Sequence, residues 1–277
     1  MAYTHSFGKN ITTGISKKLK TIFHNPYHKV NINWVFIKYL KHIPSNKLRK
    51  HLLFNKTTLF YNGPEYLHGI KEIFIEEVYK QQLPDNATVI DCGANIGLSI
   101  IYIKHLYPSA KIIAFEPDNK NFELLTKNVQ SHNLTNVELR KEAVWVEDTM
   151  VNFHEEGNMG SKIEPGNQPG YSLVTAKKLK SFLQKSIDFL KLDIEGAEYE
   201  VLKDISEELR NVKNLFVEYH GQFEQGNELI EIFQIIRNAG FSFYIKEATS
   251  VYNNPFVARK TINQYDVQLN IFCFRKE

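Results

Sequence analysis

From Ala87 onward, short β-rich runs alternate with stretches of helical periodicity. This alternation predicts strands over residues 88–92, 111–116, 137–141, 149–154, 189–193, 214–219, 241–246 and 267–275. It predicts helices over residues 98–106, 119–131, 176–184, 197–202 and 227–239. Strands joined by crossover helices form mostly parallel sheets with helices on both faces. The last two strands leave little room for a helix between them, which predicts an antiparallel hairpin at the edge of an α/β sheet.

The part of the chain before this pattern is strongly basic. Residues 1–60 hold 11 Lys or Arg and no Asp or Glu, whereas residues 61–277 hold 23 basic and all 31 acidic residues. We therefore expect a basic N-terminal arm, residues 1–60, and an α/β domain, residues 61–277. Such charge blocks are typical of contact with anionic lipid or nucleic acid, and equally of a solvated leader.

One helix is predicted inside this arm, between residue 32 and Pro44. Its apolar residues fall at helical spacing, with Lys38 and Lys41 on the other face; they are Val35, Phe36, Tyr39, Leu40 and Ile43. A basic amphipathic helix can pack on its own domain or lie on an anionic membrane surface. We expect the first arrangement and keep the second as the alternative.

The sequence favours a reducing compartment. The two cysteines, Cys92 and Cys273, lie far apart and show no metal-ligand spacing. No run of about 18 apolar residues occurs, and residues 1–10 lack the apolar core of a signal peptide. We therefore expect a cytoplasmic protein, with peripheral membrane attachment through residues 1–60 as the alternative.

A glycine-containing turn follows the first strand of the α/β pattern. Asp91 lies near the end of that strand, Gly93 and Gly97 follow, and a helix begins directly afterwards. Glycines here let the backbone turn tightly and approach a ligand closely. The second strand ends in Glu116, where an acid can accept hydrogen bonds from ribose hydroxyls. The pattern predicts a nucleotide-type cofactor at the carboxyl ends of these strands.

Two cofactor classes fit this arrangement, and the residues between the glycines favour one of them. Dinucleotide sites prefer a third glycine and place a pyrophosphate at the helix N-terminus. Here Asn95 replaces the second glycine of that motif, and Asp91 would repel a pyrophosphate. A carboxylate suits instead the amino acid and cationic sulfur of S-adenosylmethionine (SAM). Glu142 and Ala143, which follow the third strand, are expected near the adenine, although Glu142 could equally be a surface acid.

Several motifs together resemble the FkbM-type SAM-dependent methyltransferases. The resemblance extends from about Ile70 to the C-terminus and rests on Val89–Gly97, Phe115–Pro117, Lys191–Glu198 and Glu218–His220. It implies a Rossmann-like class I methyltransferase fold, with a mostly parallel seven-stranded sheet, helices on both faces and an antiparallel C-terminal edge strand. It also implies O-methylation of sugars, glycolipids or secondary metabolites. Residues 1–60 lie outside the resemblance.

A second group of polar residues lies at the ends of the predicted strands 189–193 and 214–219. Asp193 and Glu195 lie at the end of the first, and Glu218 and His220 at the end of the second, so all four should converge at one edge of the sheet. Transfer of a methyl group to oxygen benefits from a base that removes the hydroxyl proton. His220 is the natural candidate. Glu218 could orient His220 or act as the base itself, and Asp193 could hold the cofactor amino group or the acceptor.

The same residues allow a second interpretation, because two carboxylates and a histidine can bind a divalent cation that acidifies the hydroxyl. We favour the arrangement without metal. The glycine-rich loop 156–170 is predicted either as a lid over the acceptor or as a surface loop.

The alternative function is methylation of RNA or another nucleic acid, with the basic arm binding phosphates. The Asp193–Gly196 run argues against it, since base-amine enzymes usually carry an Asn/Asp-Pro-Pro-aromatic run there. A hydroxyl-bearing small molecule or glycan is therefore the expected acceptor, and nucleic acid is not favoured.

Overall fold

A computed structural model describes residues 25–45, 47–153, 163–164, 172–252, 254–257 and 265–275. The chain divides into two units, residues 1–78 and 79–277. The predicted boundary lay at residue 60, and the segment between the two positions belongs to the N-terminal unit. Within the described residues, no helix is long and apolar enough to cross a membrane. The predicted lid, apart from residues 163–164, and residues 1–24 of the arm lie outside the described residues.

The N-terminal unit combines short helices with a two-stranded hairpin. A 3₁₀ turn at Pro26–Val30 precedes helix α1, Trp34–His42, which Asn33 caps by accepting from the Phe36 amide. The antiparallel strands β1, Arg49–Leu53, and β2, Lys56–Phe60, follow. Helix α2, Gly63–Gly69, then continues into a π-helical segment, Ile70–Ile75.

Helix α1 is confirmed, but its buried face differs from the predicted apolar stripe. Ile37 and Leu40 are buried, whereas Val35 and Tyr39 are exposed. At 100° per residue, Val35 and Tyr39 lie on the side of the helix away from Leu40 and Ile37. The expectation that Val35 and Tyr39 pack on the protein's own core was therefore wrong.

The larger unit is built on a seven-stranded sheet. Its parallel strands are β3, Thr88–Cys92; β4, Lys111–Phe115; β5, Val137–Arg140; β10, Ile187–Leu192; and β11, Val212–Gly221. Helices α3, Leu98–Leu106, and α4, Asn119–Ser131, connect the first three of these strands. Helix α5, Glu198–Asp204, connects β10 to β11, and α6, Gly226–Asn238, follows β11. The predicted Rossmann-like α/β fold is confirmed.

The antiparallel end of the sheet is formed by two further strands, β12, Ser242–Glu247, and β13, Val267–Phe274. The strand order is β12-β13-β11-β10-β3-β4-β5. The C-terminal strand β13 runs antiparallel to both neighbours, as predicted. It lies between β11 and β12 rather than at the edge, so β12 is the edge strand.

The central strands are buried on both faces. Every residue of β10 is buried, including Asp188 and Lys191, which explains why its sequence does not alternate between apolar and polar positions. On one face, Leu190 and Leu215 pack in a core with Val201 of α5 and Ile232 of α6. On the other face, aromatic rings pack edge to face, with Tyr79 and Phe272 both against Phe216. This core fixes the carboxyl ends of β3, β10 and β11.

A second, four-stranded sheet was not predicted. It orders β6, Ala143–Trp145; β9, Ser172–Lys178; β7, Thr149–Phe153; and β8, Ile163–Glu164. The helix predicted over residues 176–184 was wrong, because residues 172–178 form β9 and only a 3₁₀ turn, Leu179–Phe182, follows. Side chains alternate between exposed and less exposed positions along the start of β9, the period of a strand.

Candidate active site

The turn after β3 has the backbone that its sequence predicted. Gly93, Asn95 and Gly97 all have positive φ angles, of 86°, 48° and 89°. The amides of Gly93 and Ala94 both donate to the Phe115 carbonyl of β4, at 3.1 and 2.9 Å. A Cβ on Gly93 would lie 1.8 Å from the Asp193 carbonyl oxygen. Glycine is therefore required at position 93, because the chain after β10 passes directly against it.

Glu116 follows β4 and closes the same turn. One carboxylate oxygen accepts from the Asn95 amide at 2.7 Å, and the other from the Asp118 amide at 2.9 Å. Each oxygen keeps further lone-pair capacity, so the group could accept two adjacent hydroxyls. Burial raises the pKa of Glu116 to about 8, although the two amide donors oppose this rise.

Asp91 is fully buried and has two close partners. Ser99 Oγ donates to Oδ2 at 2.5 Å, and Lys191 Nζ lies 3.2 Å from Oδ1. Oδ1 has no hydrogen bond of good geometry within the described residues, so Lys191 compensates it mainly by charge. Asp91 thus helps to fix Ser99 at the start of α3 and the lysine of β10.

Lys191 links the two predicted groups of site residues, and it was quoted in the motif without being assigned a role. Its ammonium lies 3.2 Å from Asp91, 3.0 Å from Asp193 Oδ2 and 2.8 Å from the Gly93 carbonyl. Burial alone would lower the pKa of Lys191, but Asp193 and Asp91 outweigh burial and raise it well above its usual value. The lysine therefore stays charged.

The second predicted group converges as expected. His220 Nε2 lies 3.5 Å from Glu195 Oε2 and 3.6 Å from Glu218 Oε1, while Nδ1 lies 3.3 Å from Glu198 Oε1. Asp193 reaches the same edge, since one of its oxygens belongs with Glu195 and His220 to a group of ligand-type atoms within 4.8 Å of one another. The sequence pattern thus located four side chains on two neighbouring strand ends.

Charge dominates this cluster. Burial alone would lower the pKa of His220, but Glu195, Glu198 and Glu218 outweigh it and raise the pKa well above its usual value. Burial likewise raises the pKa of Glu195 and of Glu218, and His220 opposes both rises. The three carboxylates therefore favour the protonated form of the imidazole in the ligand-free protein.

Two residues that were given no role in the predicted site hold the loop after β10. Buried Glu198, at the start of α5, accepts from the Ile194 amide at 3.0 Å and the Gly196 amide at 3.0 and 3.1 Å. Tyr265 donates to the Glu195 carbonyl at 2.7 Å, where Glu195 itself adopts a positive φ of 56°. No motif spacing indicated Tyr265, because it lies 70 residues away in the chain.

Glu142 and Ala143 lie just after strand β5, which ends at Arg140. Glu142 is paired with Arg140, whose Nε donates to it at 2.7 Å. Ala143 is buried and begins β6 of the second sheet. Their contact with an adenine stays a prediction.

The two groups of site residues suit an adenosyl cofactor that carries an amino group. Glu116 offers acceptors for vicinal hydroxyls, and partly exposed Asp193 offers an acceptor for an ammonium. Asp193, Glu195 and His220 also form a donor set that could hold a metal ion.

Comparison with known proteins identifies one family whose domain contains both groups of site residues. Residues 91–243 match the Methyltransferase FkbM domain, which covers more than half of the chain and both groups of site residues. The chain belongs to the FkbM methyltransferase family. The predicted resemblance is confirmed.

Two fungal relatives of this FkbM-family chain are also methyltransferases by name. Methyltransferase 1 of Beauveria bassiana is 29% identical over 198 residues, 60% of this chain and 79% of its own length. Methyltransferase sdnD of Sordaria araneosa is 31% identical over 187 residues, 53% and 72% of the two chains. The solved FkbM methyltransferase of Methylobacillus flagellatus is similar at a TM-score of 0.49 and 15% identity, covering 74% of this chain. The aligned part is about half of that protein, 47%.

Proposed function

We propose that this methyltransferase uses SAM to methylate a hydroxyl group of a small molecule, such as a sugar or a secondary metabolite. The observation that carries the proposal is the position of Lys191. Its ammonium lies 3.2 Å from Asp91 at the cofactor-type edge and 3.0 Å from Asp193 at the acidic cluster. A cofactor bound beside Asp91 and Glu116 would therefore have its reactive end close to the acidic cluster, which is the arrangement that positional catalysis requires.

SAM supplies a methyl group on a cationic sulfur. In the proposal, Glu116 accepts hydrogen bonds from the ribose hydroxyls, and Asp193 accepts one from the amino group. Asp91 acts indirectly, by orienting Lys191 and Ser99. The left-handed turn at Gly93, Asn95 and Gly97 lets the backbone approach the cofactor, and Glu142 with Ala143 would face the adenine.

The acceptor hydroxyl must lose a proton as the new bond to carbon forms. His220 was the expected base, but it is surrounded by three carboxylates that keep its ring protonated. We therefore assign the proton-accepting role to Glu218, with protonated His220 beside it as the group that orients and stabilises the carboxylate. A carboxylate whose pKa is raised by burial is a better base than an exposed one.

A divalent cation is the second way in which this cluster could activate a hydroxyl. The 4.8 Å grouping of Asp193, Glu195 and His220 favours this alternative. Chelation decides between the two: turnover that survives EDTA supports the carboxylate base, and turnover that is lost on EDTA and restored by added Mn²⁺ or Mg²⁺ supports the metal.

Nucleic acid is the less favoured acceptor. Asp193, Glu195 and Glu218 cluster around His220, and a phosphate backbone approaching this edge would be repelled. The names of the fungal relatives specify only methyl transfer, so they leave the acceptor open.

The experiment that tests the proposal is an acceptor screen with methyl-labelled SAM and the full-length protein. A panel of sugars, glycosides and hydroxylated metabolites is compared with total RNA. Label transferred to a hydroxyl of one panel member supports the proposal. Label transferred to RNA, or to a nitrogen or carbon atom of the panel member, contradicts it.

A further inference from the structure

Helix α1 exposes an apolar surface on the N-terminal unit. Trp34, Val35 and Tyr39 are 53%, 77% and 44% exposed, although they belong to residue types that are usually buried. At 100° per residue these three side chains lie on one side of the helix, opposite buried Leu40 and Ile37. An apolar face that does not pack in the protein's own core indicates an interaction surface.

Basic side chains are interleaved with these apolar ones. Lys38, Lys41 and His42 are exposed on α1, on the same half of the helix as Trp34 and Val35. Helix α1 itself contains no acid, and the first acidic residue of the chain is Glu65. The exposed half of α1 therefore combines aromatic, aliphatic and cationic groups without a single carboxylate.

Strand β1 repeats this combination beside the helix in sequence. Its buried positions are His51 and Leu53, and its exposed positions are Lys50 and Leu52. Leu48, just before the strand, is also exposed. Because His51, on the opposite face of β1, contacts Phe36 of α1, Lys50 and Leu52 point away from α1, and the docking surface is that of α1 alone.

The chemistry of this surface distinguishes a lipid from a protein partner. Protein interfaces are enriched in Trp and Tyr but depleted in Lys. Helices that lie in a membrane interface carry Trp or Leu together with Lys, and Trp and Tyr prefer the headgroup level. An anionic headgroup layer attracts each added Lys or Arg.

We propose that α1 docks on an anionic lipid membrane, with Trp34 and Val35 inserted among the headgroups and Lys38 and Lys41 facing lipid phosphates. This attachment is independent of the methyl-transfer proposal. It places the enzyme at a membrane surface, where an acceptor of amphipathic character is concentrated.

The test uses the full-length protein and vesicles of phosphatidylcholine with or without phosphatidylglycerol. The chain has two tryptophans, so Trp145→Phe leaves Trp34 as the single tryptophan, which is excited selectively at the red edge of its absorption. We expect co-sedimentation with the phosphatidylglycerol vesicles, a blue shift of Trp34 emission on binding, and loss of binding at high salt. Circular dichroism of each variant checks the fold.

Val35→Glu is the informative variant, and we expect it to lower vesicle partitioning about tenfold. Ile230→Glu is the matched control, because Ile230 is 56% exposed on helix α6 of the other unit. Equal binding by Val35→Glu and Ile230→Glu, an unchanged Trp34 emission, or equal binding to phosphatidylcholine alone would overturn the proposal. If this surface instead binds a protein partner, the full-length chain will bind neither kind of vesicle, and that result would also overturn the proposal.

Discussion

At the scale of single residues, the site depends on one buried cation between two carboxylates. Lys191 was visible in the sequence only as a charged residue inside an apolar strand, which a pattern of hydrophobicity does not explain. The structure explains it, because its ammonium contacts Asp91, Asp193 and the Gly93 carbonyl. Sequence alone could locate the acids but not the group that balances them.

Replacing this lysine should destabilise the fold. Lys191→Met leaves Asp91 buried without its counter-charge, and removal of one partner of a buried pair costs about 3–5 kcal/mol. Urea unfolding followed by circular dichroism measures the free energy of unfolding. The control, Lys185→Met, changes an exposed lysine and should lie within about 0.5 kcal/mol of wild type. Equal stability of the two variants would contradict the assigned role of Lys191.

The raised pKa of Glu116 predicts that cofactor binding releases a proton. The ligand-free carboxyl has a pKa of about 8, whereas ribose hydroxyls donate to the ionised form and lower that pKa in the complex. Binding must therefore strengthen as the pH rises towards 8, by up to about tenfold per pH unit. Calorimetry of SAM binding at pH 7 in buffers of different ionisation enthalpy measures the number of protons released on binding.

Glu116→Gln provides the matching control for this pH dependence, since the amide cannot ionise. The variant should bind SAM more weakly and release no proton at position 116. Proton release that is the same in wild type and Glu116→Gln would assign it to another group.

Glu218 is the proposed base, so a variant with a neutral side chain at this position should still bind SAM but should not catalyse methyl transfer. Glu218→Gln is expected to lower kcat by about 10²–10⁴ while the Kd for SAM stays within about twofold. The measurement uses the acceptor found in the screen, and Glu224→Gln, an exposed carboxylate on the same segment, is the control. If Glu218→Gln turns over normally, the base lies elsewhere.

At the scale of elements, the buried central strands were the ones that could be predicted from the sequence. Strands β3, β4, β10 and β11 are rich in apolar residues and have acids at or near their carboxyl ends, so both their existence and the convergence of Asp193, Glu195, Glu218 and His220 were predictable. Strand β9 was taken for a helix, because its pairing with β6 and β7 involves segments that lie apart in the chain. Strand preference depends on such neighbours more than on local sequence.

The loop between β10 and α5 offers a test at this scale. Glu198 accepts from the amides of Ile194 and Gly196 and approaches His220, so it fixes the loop that carries Glu195. Glu198→Ala leaves these donors unsatisfied and should lower the free energy of unfolding by about 1–3 kcal/mol. Glu200→Ala, an exposed position on the same helix, is the control. A loss no greater than that of Glu200→Ala would show that Glu198 does not hold the loop.

At the scale of the whole molecule, the boundary predicted from the charge distribution differs from the boundary between the two structural units. The acid-free region ends before Glu65, whereas the first unit extends to Val78 and includes α2 and the π-helical segment. The α/β fold was predictable from alternation, and the edge position of β12 was not, because strand order depends on long-range pairing. The second sheet escaped prediction for the same reason.

The central claim is that the edge formed by the turn after β3 and Glu116 binds SAM rather than a dinucleotide. Titration calorimetry of the full-length protein with SAM and, separately, with NAD⁺ tests it most directly. We predict one SAM per chain with a Kd in the range of about 1 μM to 1 mM, no heat from NAD⁺, and loss of SAM binding in Glu116→Ala but not in the exposed control Glu123→Ala. Binding of NAD⁺ in place of SAM, or SAM binding that survives in Glu116→Ala, would contradict it.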